Sequence, residues 1–413
     1  MKPLSSSDIP GGFSFSAMHC GLKKSKLDLA ILTSDTPAVG AAVFTQNRVQ
    51  AAPVLVSREH LRKSRGQVRG IVVNSGNANC CTGTHGRAAA EATTRAVARA
   101  MGAAETAGAG RRKIDGSQML VCSTGVIGVP LKVRKILHAV PQLVGARQSS
   151  AEAFTEFARA IMTTDTRPKW AAAKCRLGGK TVRLAGCAKG SGMIEPNMAT
   201  MLAFVVTDAA ISPALARRAL RAAVATTFNA ITVDGDTSTN DMAAVLANGT
   251  AGARRITRED GDYRNFLTAL GSVCRELALA IVADGEGAQR VVEIEVRGAA
   301  SDGAADRIAR TIANSPLVKT ALAGGDPNWG RILAAAGRSG VTFDPERVDI
   351  HLAGLQVCRR GLERPFDEKT AHHKMMTPHV PIVVDLRAGR GRARVWTCDF
   401  TAEYVRINAS YRT

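Results

Sequence analysis

Lys189-Gly190-Ser191-Gly192-Met193-Ile194-Glu195-Pro196-Asn197-Met198-Ala199-Thr200-Met201-Leu202-Ala203-Phe204 lies near the middle of a chain of 413 residues. Its first half carries glycines and a proline and reads as a loop. Its second half turns apolar and β-prone, runs on through Val205-Val206-Thr207, and reads as a buried strand. Thr200 stands where loop becomes strand, with Lys189 upstream in the glycine-rich part. A hydroxyl nucleophile needs a base and a rigid seat, and this stretch offers both. On spacing alone, a Thr at the start of a strand is more often only a strand residue.

Upstream, Leu27-Asp28-Leu29-Ala30-Ile31-Leu32 and Val39-Gly40-Ala41-Ala42-Val43-Phe44 read as antiparallel strands joined by turns. Val68-Arg69-Gly70-Ile71-Val72-Val73-Asn74 is a further strand, entering the polar loop Ser75-Gly76-Asn77-Ala78-Asn79. Residues 86–101 are Ala-rich and charged and predict a helix. Met119-Leu120-Val121-Cys122 predicts a strand that ends at Ser123-Thr124-Gly125. A Thr-Gly pair at a strand end can aim two backbone N–H groups at one point, as an oxyanion hole requires, or it can be an ordinary tight turn. Residues 151–162 predict a helix capped by Ser150, followed by the hydroxyl-rich run Thr163-Thr164-Asp165-Thr166. Residues 181–187 predict the strand that leads into the central loop.

Downstream, Ser212-Pro213 opens a helix reaching about residue 225. The polar stretch 227–241 lacks the ligand periodicity of a calcium loop and reads as a wall near an active site. A long amphipathic helix over 266–282 ends at Asp284-Gly285-Glu286-Gly287-Ala288. Gly325-Asp326-Pro327-Asn328-Trp329-Gly330-Arg331 is motif-like. Strands follow over 348–352, 381–386 and 393–400.

Composition narrows the class. Hydrophobic residues make up 45% of the chain, which suits a folded globular protein. The formal charge of +20 raises the question of nucleic acid. The basic residues are dispersed, aromatics are only 4%, and no nucleic-acid-binding motif occurs, which argues against such a partner. The nine cysteines are irregularly spaced with no Cys-x-x-Cys, and read as free thiols. Cys80 and Cys81 are adjacent, which suits neither a normal disulfide nor a zinc knuckle. His372-His373 with His379 reads as a solvated loop, and no metal site is expected. Neither a signal-like apolar core nor an apolar run near the roughly 20 residues of a membrane span is seen. A cytoplasmic protein is expected.

The central stretch resembles the self-cleavage site of the arginine-biosynthesis ornithine acetyltransferase family, also called bifunctional glutamate N-acetyltransferase/amino-acid acetyltransferase. The likeness covers essentially the whole chain. It includes Val73-Asn74-Ser75-Gly76-Asn77-Ala78-Asn79, Ser123-Thr124-Gly125, Met162-Thr163-Thr164-Asp165-Thr166, the run 231–241, Asp284-Gly285-Glu286-Gly287-Ala288 and the Asn408-Ala409-Ser410-Tyr411-Arg412-Thr413 terminus. Gln289 stands where a Thr would be expected.

The resemblance implies an α/β fold of layered β-sheets flanked by helices, ornithine acetyltransferase-like (DmpA/ArgJ-like). It implies cleavage between Ala199 and Thr200, giving an alpha chain 1–199 and a beta chain 200–413 that assemble as an α2β2 heterotetramer. Thr200 matches the nucleophile, and Thr124 and Gly125 the oxyanion hole. Thr163, Lys189, Thr200, Glu286, Asn408 and Thr413 match the substrate-lining positions, with Thr164 an alternative to Thr163. The implied reaction passes an acetyl group from N-acetylornithine to glutamate through Thr200, releasing ornithine, with no cofactor. Acetyl-CoA is a second candidate donor. An amidohydrolase or aminopeptidase using the same nucleophile is the alternative.

Overall fold

The computed structural model describes residues 3–106, 114–195 and 201–410. Ala199, Thr200 and Thr413 lie outside the described residues.

The strands are, in chain order, β1 (Phe13–Met18), β2 (Leu29–Phe44), β3 (Gln67–Asn77), β4 (Met119–Val126), β5 (Lys169–Leu177), β6 (Lys180–Lys189), β7 (Leu202–Thr207), β8 (Met242–Ala247), β9 (Val291–Ala299), β10 (Asp349–Leu352), β11 (Leu355–Arg359), β12 (Leu362–Glu363), β13 (His379–Asp385) and β14 (Gly391–Cys398). The first eight form one sheet in the order β4-β3-β2-β8-β7-β6-β5, with β1 paired to β2. The last six form a second sheet in the order β12-β11-β10-β13-β9-β14.

β7 is interior to the first sheet, parallel to β8 and antiparallel to β6. All six of its residues are buried. Its period-two alternation divides them between two cores. Leu202, Phe204 and Val206 face the core that holds Phe15, Phe154 and Phe157. Ala203 and Val205 face the core beneath the helices Pro213–Ala225 and Gly261–Ala283. Helices therefore cover the second face, while the first packs on strand residues of β1–β4 and the helix Ala151–Ala160; the expected layered α/β architecture is present. Phe157 bridges the first core with edge-on contacts to Phe15 and Phe204, at centroid distances of 6.3 and 5.8 Å.

The two runs expected as separate strands over 27–44 form the single strand β2. Its first part pairs with β1 and β3, its second with β8. The register shifts between Thr33 and Ala38, and the exposed Asp35-Thr36-Pro37 bends the strand rather than reversing it. The helix expected from residue 266 starts at Gly261, with the Asp260 side chain accepting a hydrogen bond from the Tyr263 N–H. Gly261–Ala283 is long and apolar enough to cross a membrane by length and composition alone. Its apolar residues, among them Phe266, Leu270, Val273 and Leu277, pack into the core against β6. His372 and His373 lie on the helix Glu368–Met375 rather than in a loop.

The second sheet buries one face. Val292, Ile294 and Val296 of β9 point into a core shared with the helix Asp302–Ala313. At one edge of the first sheet β6 ends beside the starts of β7 and β8, and Asn240 there reaches the carbonyls of Ser123 in β4 and of Ala78 just after β3. The candidate site lies at that edge.

Candidate functional site

A cavity open to solvent is lined by Thr124, Gly125, Thr163, Thr164, Lys189, Glu286 and Asn408. Every described residue that sequence reasoning assigned to the site therefore meets at one place. Asp234, Ser238, Thr239, Asn240 and Asp241 form the wall expected from the stretch 227–241. Met193 and Tyr404 also line the cavity; neither was expected.

Thr124 and Gly125 belong to β4 itself rather than to a turn beyond it. Gly125 has φ of +129°, and a Cβ there would stand 2.4 Å from the Gly76 carbonyl carbon and 2.6 Å from the Asn77 nitrogen. Only glycine fits this close passage of β3 and β4. The preceding peptide is held from across the cavity. Asn240 Nδ2 donates to the carbonyl oxygens of Ser123 and Ala78 at 2.8 and 2.6 Å. The Ser123 hydroxyl in turn donates to Asn74 Oδ1 at 2.6 Å.

Lys189 is the last residue of β6, not part of the loop as expected. Its Nζ donates to Thr163 Oγ1 at 3.4 Å. Thr163, rather than Thr164, thus makes the direct contact with this cation. Burial pushes the Lys189 ammonium below the usual lysine range, while the carboxylates of Asp165 and Asp241 pull the other way. Asp241 is the reciprocal case. Burial raises its pKa well above the usual carboxylate range, opposed by Lys189. Among the described residues, Asp241 Oδ2 is buried with no hydrogen-bond partner.

Beneath these residues lies a buried charge cluster that sequence reasoning missed. Lys169 Nζ donates to Asp165 Oδ1 at 2.6 Å and to Asp284 Oδ2 at 2.5 Å. Asp165 also accepts the N–H groups of Gly190 at 2.7 Å and Thr163 at 3.0 Å. Burial would raise the Asp165 pKa, but Lys169, Lys189 and the Gly190 N–H outweigh it and hold the carboxyl below its ordinary range. Asp284 accepts from Thr166 N–H at 3.1 Å and from its hydroxyl. The Asp284 carbonyl accepts from Ser191 Oγ at 2.5 Å, and the Ser191 carbonyl from Glu286 N–H at 2.9 Å.

Asn408 lies on the helix Ala402–Ser410, and its Nδ2 donates to Glu286 Oε2 at 2.7 Å. The C-terminal helix is thereby tied to the carboxylate expected to meet substrate. A Cβ at Gly192 would stand 2.4 Å from the Glu286 carboxyl carbon, so any side chain there would displace the carboxylate. Asp234 accepts from the N–H groups of Met193 and Ile194 at 2.6 and 2.8 Å, bracing the far side of the same loop. No group of three or more His, Cys, Asp or Glu arranged for a metal ion occurs among the described residues.

The profile of the ArgJ family matches residues 14–413. The chain belongs to the ArgJ family. A relative from Geobacter sulfurreducens, named arginine biosynthesis bifunctional protein ArgJ, is 48% identical over 404 residues, covering 97% of this chain and 99% of its own length. The protein of the same name from Chlorobaculum tepidum is 46% identical over 404 residues, covering 98% and 96%. The crystal structure of ArgJ from Bacillus halodurans matches with 46% identity and a TM-score of 0.50, covering 51% of this chain and 100% of that one. ArgJ membership along nearly the whole chain sets the hydrolase alternative aside.

The Lys169 cluster makes a testable demand. Lys169→Met removes the cation from between two buried carboxylates and should cost roughly 3–5 kcal/mol in denaturant unfolding. The pH dependence carries the sign. Because the Asp165 pKa is lowered by folding, its stabilisation is present above the unfolded value of about 4 and is lost as pH falls toward the folded value. Wild-type protein should therefore lose more stability than Lys169→Met over that acid range. Equal slopes would remove Lys169 from the role.

Proposed function

We propose that this enzyme transfers an acetyl group from N-acetylornithine to glutamate through an acetyl ester on Thr200, after cutting itself between Ala199 and Thr200. The observation that carries this reading is the meeting of Thr124, Gly125, Thr163, Lys189, Glu286 and Asn408 at one cavity in an ArgJ-family chain. In the precursor, the Thr200 hydroxyl attacks the Ala199 carbonyl carbon. The acyl group shifts from nitrogen to oxygen, and water hydrolyses the ester. The freed α-amine of Thr200, with a reference pKa of about 8, then serves as the base for its own hydroxyl.

In acetyl transfer, Thr200 Oγ attacks the acetyl carbonyl of N-acetylornithine. The N–H groups at Thr124 and Gly125 receive the developing oxyanion, and ornithine departs with the proton. The glutamate amine attacks the ester next and regenerates the hydroxyl. Lys189 supplies a positive charge for a substrate carboxylate. Glu286, oriented by Asn408, supplies a negative one for an amine. The scheme uses no cofactor, and acetyl-CoA enters only as an alternative acetyl donor. Thr413 is assigned to the same substrate pocket.

Cleavage yields chains 1–199 and 200–413, which remain associated, pair as α2β2, and work in the cytoplasm. The match of the full solved Bacillus halodurans chain to 51% of this one supports a two-chain product.

Purified wild-type protein should migrate as two chains, the second beginning Thr200-Met201-Leu202 by N-terminal sequencing. Thr200→Ala should remain a single inactive chain. A fully active uncut wild-type protein would overturn the scheme.

A second expectation follows from the depressed Lys189 ammonium. As pH rises, Lys189 loses its charge before an ordinary lysine would, so KM for glutamate should climb on the alkaline side while kcat changes less. Lys189→Met should have a high KM at every pH and no such limb. A limb that persists in Lys189→Met belongs to another group.

A further inference from the structure

Cys80 and Cys81 stand beside the cavity and take no part in the reaction scheme. Their sulfurs are 3.7 Å apart. Successive side chains of extended backbone point to opposite faces. Here Asn79 and Cys81 have φ of +48° and +56°, and this tight winding brings the two thiols together. Cys81 is exposed and Cys80 is buried, in a small apolar cluster with Ala51, Val54 and Ala78. No other two cysteines are in sulfur contact among the described residues.

Two outcomes are open to such a pair. Closing a disulfide between adjacent residues meets a geometric obstacle. Neighbouring Cα atoms are about 3.8 Å apart, whereas disulfides usually span about 4.4–6.8 Å. A bridge here would be strained and easily reduced. The pair is therefore retained as a dithiol able to grip one thiophilic centre at two points. Zinc fits poorly, because it takes four ligands and no third Cys, His or carboxylate joins these two among the described residues. A trivalent arsenical bearing one organic group needs only two sulfurs.

We propose that Cys80 and Cys81 form a binding site for trivalent arsenicals, and that its occupation disables the neighbouring cavity. The chemistry balances without any redox change. Two S–H bonds and the arsenic–oxygen bonds of an arsenoxide break, two As–S bonds form, and the oxygen leaves with both protons as water. Exposed Cys81 makes the first bond. Cys80 must leave its apolar cluster to make the second.

That movement reaches the active site through short connections. Thr239 neighbours Cys80, and its hydroxyl donates to Asn240 Oδ1 at 2.6 Å. Asn240 holds the carbonyls of Ala78 and Ser123, immediately before Thr124-Gly125. The Cys80 carbonyl accepts from Gly128 N–H at 3.0 Å, on the other side of that pair. Drawing Cys80 outward therefore pulls on both flanks of Thr124-Gly125.

The test treats the wild-type enzyme with phenylarsine oxide and follows intact mass, free thiols and acetyl transfer together. Expected are one arsenical for each copy of the protein, carried by the part that holds residues 1–199, two of the nine thiols lost, and a loss of activity that a dithiol such as dimercaptopropanol reverses and a monothiol does not. Cys80→Ala and Cys81→Ser should keep basal activity and bind the reagent roughly a hundredfold or more weakly, having lost the second attachment. No adduct on the wild type, or undiminished binding in both variants, would overturn the site. An adduct at these two thiols with full activity would overturn the coupling to the cavity. The activity arm rests on the acetyl-transfer reading, whereas mass and thiol count do not, so failure of one is distinguishable from failure of the other.

Discussion

The site is held together by one ammonium group, that of Lys169, buried between the carboxylates of Asp165 and Asp284. Burying three charges costs several kcal/mol per ion before pairing, and the cluster offsets this by satisfying each charge several times. The result is positional. Asp165 fixes Thr163 and Gly190, on either side of Lys189. Asp284 fixes Thr166 and, through its carbonyl, Ser191. Ser191 then fixes Glu286. The cation and the carboxylate that face the cavity are thus set relative to one another by three buried charges that do not line it.

The opposite wall is built differently, from neutral groups. Asn240 spans from β8's entry to the ends of β3 and β4, and its amide holds two carbonyls at once. Gly125 permits the backbone contact that no side chain would allow. One wall is therefore positioned by paired charge and the other by neutral hydrogen bonds. That division suits a reaction needing both electrostatic selection of an amino acid and rigid donors for an oxyanion. Asp241, beside Asn240 in the opposite wall and buried with one oxygen unpartnered among the described residues, tunes Lys189.

Much of this was legible in the sequence because its signals are local. The apolar, β-prone run of β7, the Ser212 cap and the polar run 227–241 each declare themselves within a few residues. The chemistry was legible only through the family likeness, since Thr-Gly at a strand end or an isolated Glu carries little by itself. Lys169 was not legible. It follows Arg167-Pro168 and looks like a solvated loop lysine, and only the convergence of β5, the 163–166 segment and residue 284 buries it. The bend in β2 was misread because Asp35-Thr36-Pro37 carries turn chemistry, while the pairing partners on either side keep the strand continuous. The strand Val291–Ala299 does alternate inward and outward residues, yet it is absent from the sequence expectations above. The strands β11 and β12 are short, with two buried residues in β11 and none in the exposed edge strand β12, so little hydrophobic pattern marks them.

The central claim is that the acetyl group rests on Thr200 between two amino-acid substrates. The most direct measurement is mass spectrometry of enzyme incubated with N-acetylornithine, without glutamate, and quenched in acid. The peptide beginning at Thr200 should carry one acetyl group as a hydroxylamine-labile ester, and adding glutamate before the quench should discharge it. Turnover with no acetyl on that peptide, or an acetyl group that glutamate does not remove, would contradict the account.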